Sequence, residues 1–318
     1  MKMIGYSSFY DYLCLTNYAI MKKFLFIHLM MVLFCTVGFC QQKKVRAFNL
    51  PEIPVMLNTP EARATFLCEH YWDNFDFADT AYIHLPDITE QAIVNFMDLM
   101  PRVPEELAVK SMGILYQKTA AHSDMLWHFW NTMSRYWKDA NSPVKNEEMF
   151  ILLCRSVESV PEVEMSLREQ ASFDRRLAEK NRVGQPAVDF VYTLASGKQG
   201  RLHQLNATYT LLLFYNPDCH TCTEVKKAMK QSLRLKNLVK SGQMKVLTVY
   251  PDEDLALWRS RLNELSEDWL NAYDKGQVLT RNVSYDLSSI PSFYLLDKDK
   301  KVLLKDADWR QVMQFFEK

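Results

Sequence analysis

Apolar and polar positions follow two different rhythms along this chain. From Thr59 to about Arg182 the apolar residues recur every three or four positions, as on helices with one buried face. Ile93, Phe96, Met97 and Met100 share a face of the run that starts at Thr89. Leu126, Trp130, Met133 and Trp137 form a stripe in the run that starts at Ser123. Other helical runs begin at Pro104, Asn146 and Pro161. The first run opens with Thr59 as a candidate N-cap and Pro60 at the first helical position. This pattern predicts an all-α bundle of about six helices.

Near Gly184 the rhythm changes. Ala187–Leu194 alternates like a strand and is followed by a turn at Ser196-Gly197. Thr208–Tyr215 and Met244–Asp252 carry continuous apolar runs, the mark of strands buried on both faces. A helix is predicted from Cys219 to about Gly242, and another from Leu255, with Leu255, Trp258, Leu262 and Leu265 on one side. Ser292–Asp306 reads as a hairpin turning near Asp297–Lys300, and the chain closes with a helix. The predicted order is β, β, α, β, α, β, β, α, an α/β fold with its central sheet covered on both faces.

The N-terminal segment reads as an address. Lys22 and Lys23 precede an apolar stretch, Phe24–Val37, and Gly38-Phe39-Cys40 offers a cleavage site before Gln41. The stretch is shorter than the roughly 20 residues of a membrane span. Residues 1–20 look unlike part of such a signal, so Met21 is the expected start. The expected organisation is 1–40 as start and signal, 41–182 as a helical domain, and 183–318 as the α/β domain. The expected location is the periplasm, with no stable membrane span after cleavage.

Composition narrows the function. Lys plus Arg and Asp plus Glu both total 38, which argues against general nucleic-acid binding. With only 8 glycines in 318 residues and no GxGxxG or GxxxxGK[ST], phosphate-cradling loops are not expected. Seven cysteines are too scattered for a disulfide-stapled scaffold. Cys68 and Cys154 stand on apolar helical faces, either as two buried thiols or as one long-range bridge.

Cys219-His220-Thr221-Cys222 is different. It lies where a buried strand gives way to a helix. Unpaired N–H groups at a helix start stabilise a thiolate on Cys219. Cys222, one turn on, can close a disulfide with it. Lys226 and Lys227 follow within two turns, and His220 adds positive charge when protonated. A structural zinc site needs four ligands. There is no second CxxC, and the nearest other histidine is His203. No metal and no cofactor beyond the Cys219–Cys222 disulfide is expected. Far downstream, Ile290-Pro291 stands directly before a strand, where proline is tolerated.

"PAVDF" (186–190), "LLLFYNPDCHTC" (211–222) and "IPSFYLLD" (290–297) resemble the thioredoxin-like family, nearest to the TlpA and ResA thiol-disulfide oxidoreductases. The resemblance covers the α/β domain. It implies that Pro291 is cis and packs against the cysteines, and that Ile290 offers backbone groups to a substrate peptide. It implies client proteins bearing disulfides or thiols, a membrane thiol-transfer protein as electron donor, and reduction as the direction. The helical region resembles domains fused to thioredoxin-like domains in exported proteins of Gram-negative bacteria.

Two departures stand out. Asp218 occupies the position where the family often has tryptophan. Thr210–Tyr215 lacks the buried acid that thioredoxin carries on the strand before its motif. Asp218, Asp252 and Glu253 are the candidates for that proton-transfer role. Two other functions fit the same residues. A binding module would use the fold for docking. A thiol peroxidase would place threonine or serine three residues before the reactive cysteine, where this chain has Asn216.

Overall fold

Helix starts in the first region are built from the residues the pattern singled out. Thr59 Oγ1 accepts the N–H of Ala62 at 3.1 Å and opens α1 (Pro60–His70). Asn146 Oδ1 accepts the N–H of Met149 at 3.2 Å and opens α5 (Glu147–Glu158). Each satisfies a donor that has no partner within its helix. Between them run α2 (Thr89–Leu99), α3 (Glu105–Thr119) and α4 (Ser123–Lys138), and α6 (Met165–Ala178) follows. The structure is a computed structural model that describes residues 46–139 and 142–317. The segment read as an export signal lies outside the described residues. Among the described residues, no helix is long and apolar enough to cross a membrane.

The two predicted stripes form the core of the helical region. Ile93, Phe96, Met97 and Met100 are buried, as are Leu126, Trp130, Met133 and Trp137. Trp72 packs between Phe75, Phe96 and Phe129.

The second region forms a seven-stranded sheet. Its strands are β1 (Val191–Leu194), β2 (Gln199–Arg201), β3 (Tyr209–Phe214), β4 (Met244–Tyr250), β5 (Leu270–Tyr273), β6 (Ser292–Leu296) and β7 (Val302–Ala307). They lie in the order β2-β1-β5-β4-β3-β6-β7. β3, β4 and β5 are mutually parallel, and the remaining pairings are antiparallel. Alternation on β3 feeds two cores. Leu211, Leu213 and Tyr215 face one side, and Leu212 and Phe214 face the other. The sheet is buried on both faces, as the apolar runs predicted.

The helices are α7 (His220–Gln231), α8 (Leu233–Lys240), α9 (Leu255–Ser260), α10 (Val278–Arg281) and α11 (Trp309–Phe315). Several expectations need correction. The helix predicted from Cys219 to Gly242 is two helices, broken at Ser232. Its backbone is extended there, and its hydroxyl accepts the N–H of Leu235 at 3.2 Å to cap α8. The helix predicted from Leu255 stops at Ser260, and the rest of that run is a short 3₁₀ turn, Leu262–Glu264, and a loop that leads into β5. The strand predicted from Ala187 is shorter, because the Ala187 N–H is taken by Lys300 O at 2.8 Å. β2, absent from the prediction, is short and polar. Its Gly200 lies under the Tyr192 ring, where a Cβ would come within 2.4 Å of ring atoms.

Both regions pack into one compact unit, Phe48–Lys318. Lys305 of β7 anchors them to each other. Its ammonium donates to the carbonyls of Ala178 and Lys180 at 2.8 and 2.7 Å, answering the C-terminal end of α6. It also pairs with Glu147 of α5 at 2.7 Å. Asn181, buried in a left-handed conformation, donates to Ser284 O and accepts the N–H of Val188.

Candidate functional site

The sheet register brings the two sequence motifs together. Phe214, the last residue of β3, pairs antiparallel with Ser292, the first of β6. The chain leaving β3 therefore runs beside the chain entering β6. The Cys219 motif and Ile290-Pro291 emerge next to each other, and the Ile290–Pro291 peptide bond is cis.

Asn216 organises the turn between strand and helix. Its carbonyl accepts the N–H of Cys219 at 3.2 Å, and its Oδ1 accepts the N–H of Asp218 at 2.9 Å. Its amide donates to Asp252 Oδ2 at 2.8 Å. Cys219 is then the N-cap of α7, with Sγ accepting the N–H of Cys222 at 3.2 Å. The Cys219 thiol also donates to the carbonyl of Ile290 at 3.9 Å. Both cysteines carry free thiols here. Cys219 is half-buried, and Cys222 is fully buried one turn behind it.

Burial pushes the Cys222 thiol up to about 12, with Cys219 adding to the rise and Lys226 opposing it. Lys226 is itself only 1% exposed. Its ammonium meets Glu264 Oε2 at 2.5 Å and lies 5.3 Å from the centre of the Tyr215 ring. The Tyr215 hydroxyl accepts the indole N–H of Trp258 at 3.0 Å, and burial pushes that hydroxyl up strongly. A polar cluster thus underlies the inner sulfur.

Of the residues proposed from sequence, Cys219, Cys222, Ile290 and Pro291 form one group. Asp218, His220 and Asp252 are exposed at its rim. Glu253 is exposed too, and its carbonyl, rather than its carboxylate, accepts the N–H of Leu255. Glu264, which the sequence reading did not name, pairs with Lys226 one turn beyond Cys222. Lys226 was readable, four residues after Cys222 and so on the same helical face. Glu264 reaches the site through the short 3₁₀ turn Leu262–Glu264, which the run from Leu255 concealed. Among the described residues, no cluster of three or more His, Cys, Asp or Glu side chains is placed to hold a metal ion.

Comparison with solved structures finds a thioredoxin-like protein from Bacteroides caccae. It is 42% identical, covers 86% of this chain and 99% of its own, and superposes with a TM-score of 0.70. The chain belongs to the thioredoxin-like family. Within it, the thiol-disulfide oxidoreductase ResA of Bacillus thuringiensis (strain Al Hakam) is 28% identical over 125 residues, 39% of this chain and 69% of that protein. ResA of Bacillus anthracis matches equally. The helical region has its own match. The family model described as a domain of unknown function, DUF5106, covers residues 35–181. The protein thus joins a DUF5106 domain to a thioredoxin-like fold with thiol-disulfide oxidoreductases among its relatives.

Proposed function

We propose that the protein is a thiol-disulfide oxidoreductase that reduces disulfides of client proteins through Cys219 and Cys222. The observation that carries this reading is the pair's asymmetry. Cys219 is half-exposed between the Cys222 amide and the Ile290 carbonyl, while Cys222 waits fully buried one turn behind.

In the reaction, the Cys219 thiolate attacks one sulfur of a client disulfide. The client S–S bond breaks, its other sulfur leaves as a thiolate and takes a proton, and a mixed disulfide forms. The Cys222 thiol loses its proton and its sulfur attacks Cys219 Sγ. The second client thiol leaves, and the Cys219–Cys222 disulfide remains. Two electrons have passed from the pair to the client. Restoring the dithiol needs an outside thiol donor, for which a membrane thiol-transfer protein is the natural class. The signal-like segment from Met21 supports placing this chemistry in the periplasm, and the ResA relatives support thiol-disulfide exchange.

The test is a Cys222→Ser chain expressed in cells and recovered under acid quench. It should hold clients disulfide-linked to Cys219, and the wild type should reduce insulin with dithiothreitol as donor. A wild type without insulin reduction, together with a variant that traps nothing, would falsify the reading.

A further inference from the structure

Between the pairs Phe293–Ala307 and Leu295–Leu304, β7 has two residues, Lys305 and Asp306, where β6 has one, Tyr294. This is a β-bulge, and it aims two consecutive side chains at different targets. Lys305 turns to the helical region. Its ammonium meets Glu147 at 2.7 Å and the carbonyls of Ala178 and Lys180 at the end of α6. Asp306 turns to the redox side. Its Oδ1 accepts the hydroxyl of Ser292 at 3.0 Å and that of Tyr294 at 2.7 Å. Ser292 directly follows Ile290-Pro291, and the Ile290 carbonyl is the group 3.9 Å from Cys219 Sγ.

We propose that this bulge and the end of α6 together position the Ile290 carbonyl on Cys219, which makes the helical region a working part of the redox centre. Lys180, Lys305 and Asp306 are the positioning residues. The proposal rests on the redox reading above and gives residues outside the cysteine motif a part in it.

The segment that carries Ile290 is held on both sides. Downstream the hold is that of Asp306 on Ser292. Upstream, the Lys180 ammonium donates to the carbonyls of Asn282 and Val283 at 3.1 and 2.6 Å, and the Asn181 amide donates to that of Ser284 at 2.8 Å. Lys180 and Asn181 lie just past α6. One end of one helix thus fixes both ends of the span from Asn282 to Ser292, through Lys180 and Asn181 on one side and through Lys305 on the other.

Backbone conformation marks the same points. Asn181, Val283 and Asp306 are non-glycine residues in the left-handed region, with φ of 53°, 47° and 46°. For a β-branched valine that conformation is an outlier. Such strain persists where the surroundings over-determine the backbone, and it gathers at functional sites. The Lys305 side chain is only 6% exposed. A buried ion pair adds little net stability, and what it supplies here is one defined arrangement of the two regions.

The consequence for the sulfur follows from its proton. In the dithiol, the Cys219 thiol donates to the Ile290 carbonyl. In the disulfide that sulfur has no proton to give. The contact therefore stabilises the dithiol alone, and loosening it favours the disulfide.

The experiment equilibrates the full chain with reduced and oxidised dithiothreitol. The pair gives up two electrons and two protons to form its disulfide, and oxidised dithiothreitol takes them up. Alkylation and mass spectrometry read the ratio of disulfide to dithiol. Asp306→Ala and Lys180→Met should each shift this equilibrium toward the disulfide by about two- to fivefold, the worth of one weak sulfur hydrogen bond. Asp306→Asn keeps an acceptor oxygen and suits left-handed backbone, so it should stay at the wild-type value. A role in stability alone weakens both redox states equally, so an unmoved equilibrium in Asp306→Ala and Lys180→Met overturns the proposal. A shift in Asp306→Ala without one in Lys180→Met overturns the part given to the helical region. An asparagine variant shifted as far as the alanine one overturns the part given to the Asp306 acceptor. Should Asp306→Ala fail to fold, Lys180→Met decides, because its side chain is half-buried and lies outside the sheet. A wild-type pair that forms no disulfide with oxidised dithiothreitol removes the redox reading and this proposal together. A pair that forms one equally in every variant removes only the positioning.

Discussion

The Lys226 ammonium meets the Glu264 carboxylate at 2.5 Å on the covered side of α7, where Lys226 is almost wholly buried. A buried ammonium is unfavourable unless it is paired, and Glu264 supplies the pair while keeping a quarter of its own side chain exposed. Lys226 lies one turn beyond Cys222, and its charge pulls the Cys222 thiol down against the effect of burial. Lys226→Met therefore makes the inner thiolate scarcer. Attack on the mixed disulfide should slow on the order of tenfold near neutral pH, and its pH profile should move upward. Lys226→Arg should restore much of the rate. Rapid-quench alkylation of the mixed disulfide measures both. Identical profiles for Lys226→Met and wild type would show that this charge does not act on Cys222.

Asp189 sets a pH dependence of stability away from the sulfurs. Burial raises its carboxyl, but the Arg201 guanidinium at 2.8 Å and the His203 N–H at 3.0 Å outweigh burial and hold it below the ordinary aspartate range. The unfolded chain thus takes up this proton before the folded one does. The contribution is complete above about pH 4 and is lost as pH falls through the lowered folded value. Asp189→Asn should be less stable than wild type at neutral pH, and the two should converge in acid. Urea midpoints measured between about pH 3 and 7 check this. A gap that stays constant with pH would mean that the ionised carboxylate is not responsible.

How much of this was legible depended on how local each signal was. Cys219 and Cys222 declared themselves by spacing, and Pro291 by its place before an apolar strand. The β3–β6 register that joins them is not written in either segment. The stripes on α2 and α4 were readable because a single period runs through each. β5 was not, because its four residues continue the apolar spacing of α9 and only pairing with β1 and β4 makes them a strand. Ser232 looked like one more helical residue until its hydroxyl turned to cap α8. The packing of the helical region against the sheet was invisible for a similar reason. It rests on long-range contacts such as Lys305 with Glu147, which no local pattern encodes.

Trp72 tests the helical core. It is buried, with the rings of Phe75, Phe96 and Phe129 at 5.5, 5.4 and 5.1 Å. Trp72→Ala removes all of these contacts and leaves a cavity, so it should cost about 3–5 kcal/mol. The indole N–H finds no hydrogen-bond partner among the described residues. Trp72→Phe discards that buried donor while keeping a ring, so it should cost clearly less. Denaturant titration of the two variants gives the comparison. Equal losses would mean that ring contact is not what Trp72 contributes.

Two cysteines outside the Cys219–Cys222 pair give a test that needs no substitution. Cys68 and Cys154 are free thiols, 2% and 0% exposed. Burial pushes both thiols up, with nearby Glu69 adding to the effect at Cys68 and Asp174 and Glu158 at Cys154. Alkylation needs both access and thiolate. In the reduced native protein at about pH 8, iodoacetamide should therefore label Cys219 quickly and leave Cys68 and Cys154 intact. Adding denaturant should expose those two together, at the midpoint reported by far-UV circular dichroism, because both belong to one core. Peptide mapping by mass spectrometry follows each site separately. If Cys154 were labelled as fast as Cys219 without denaturant, α5 would have to open on the time scale of the labelling.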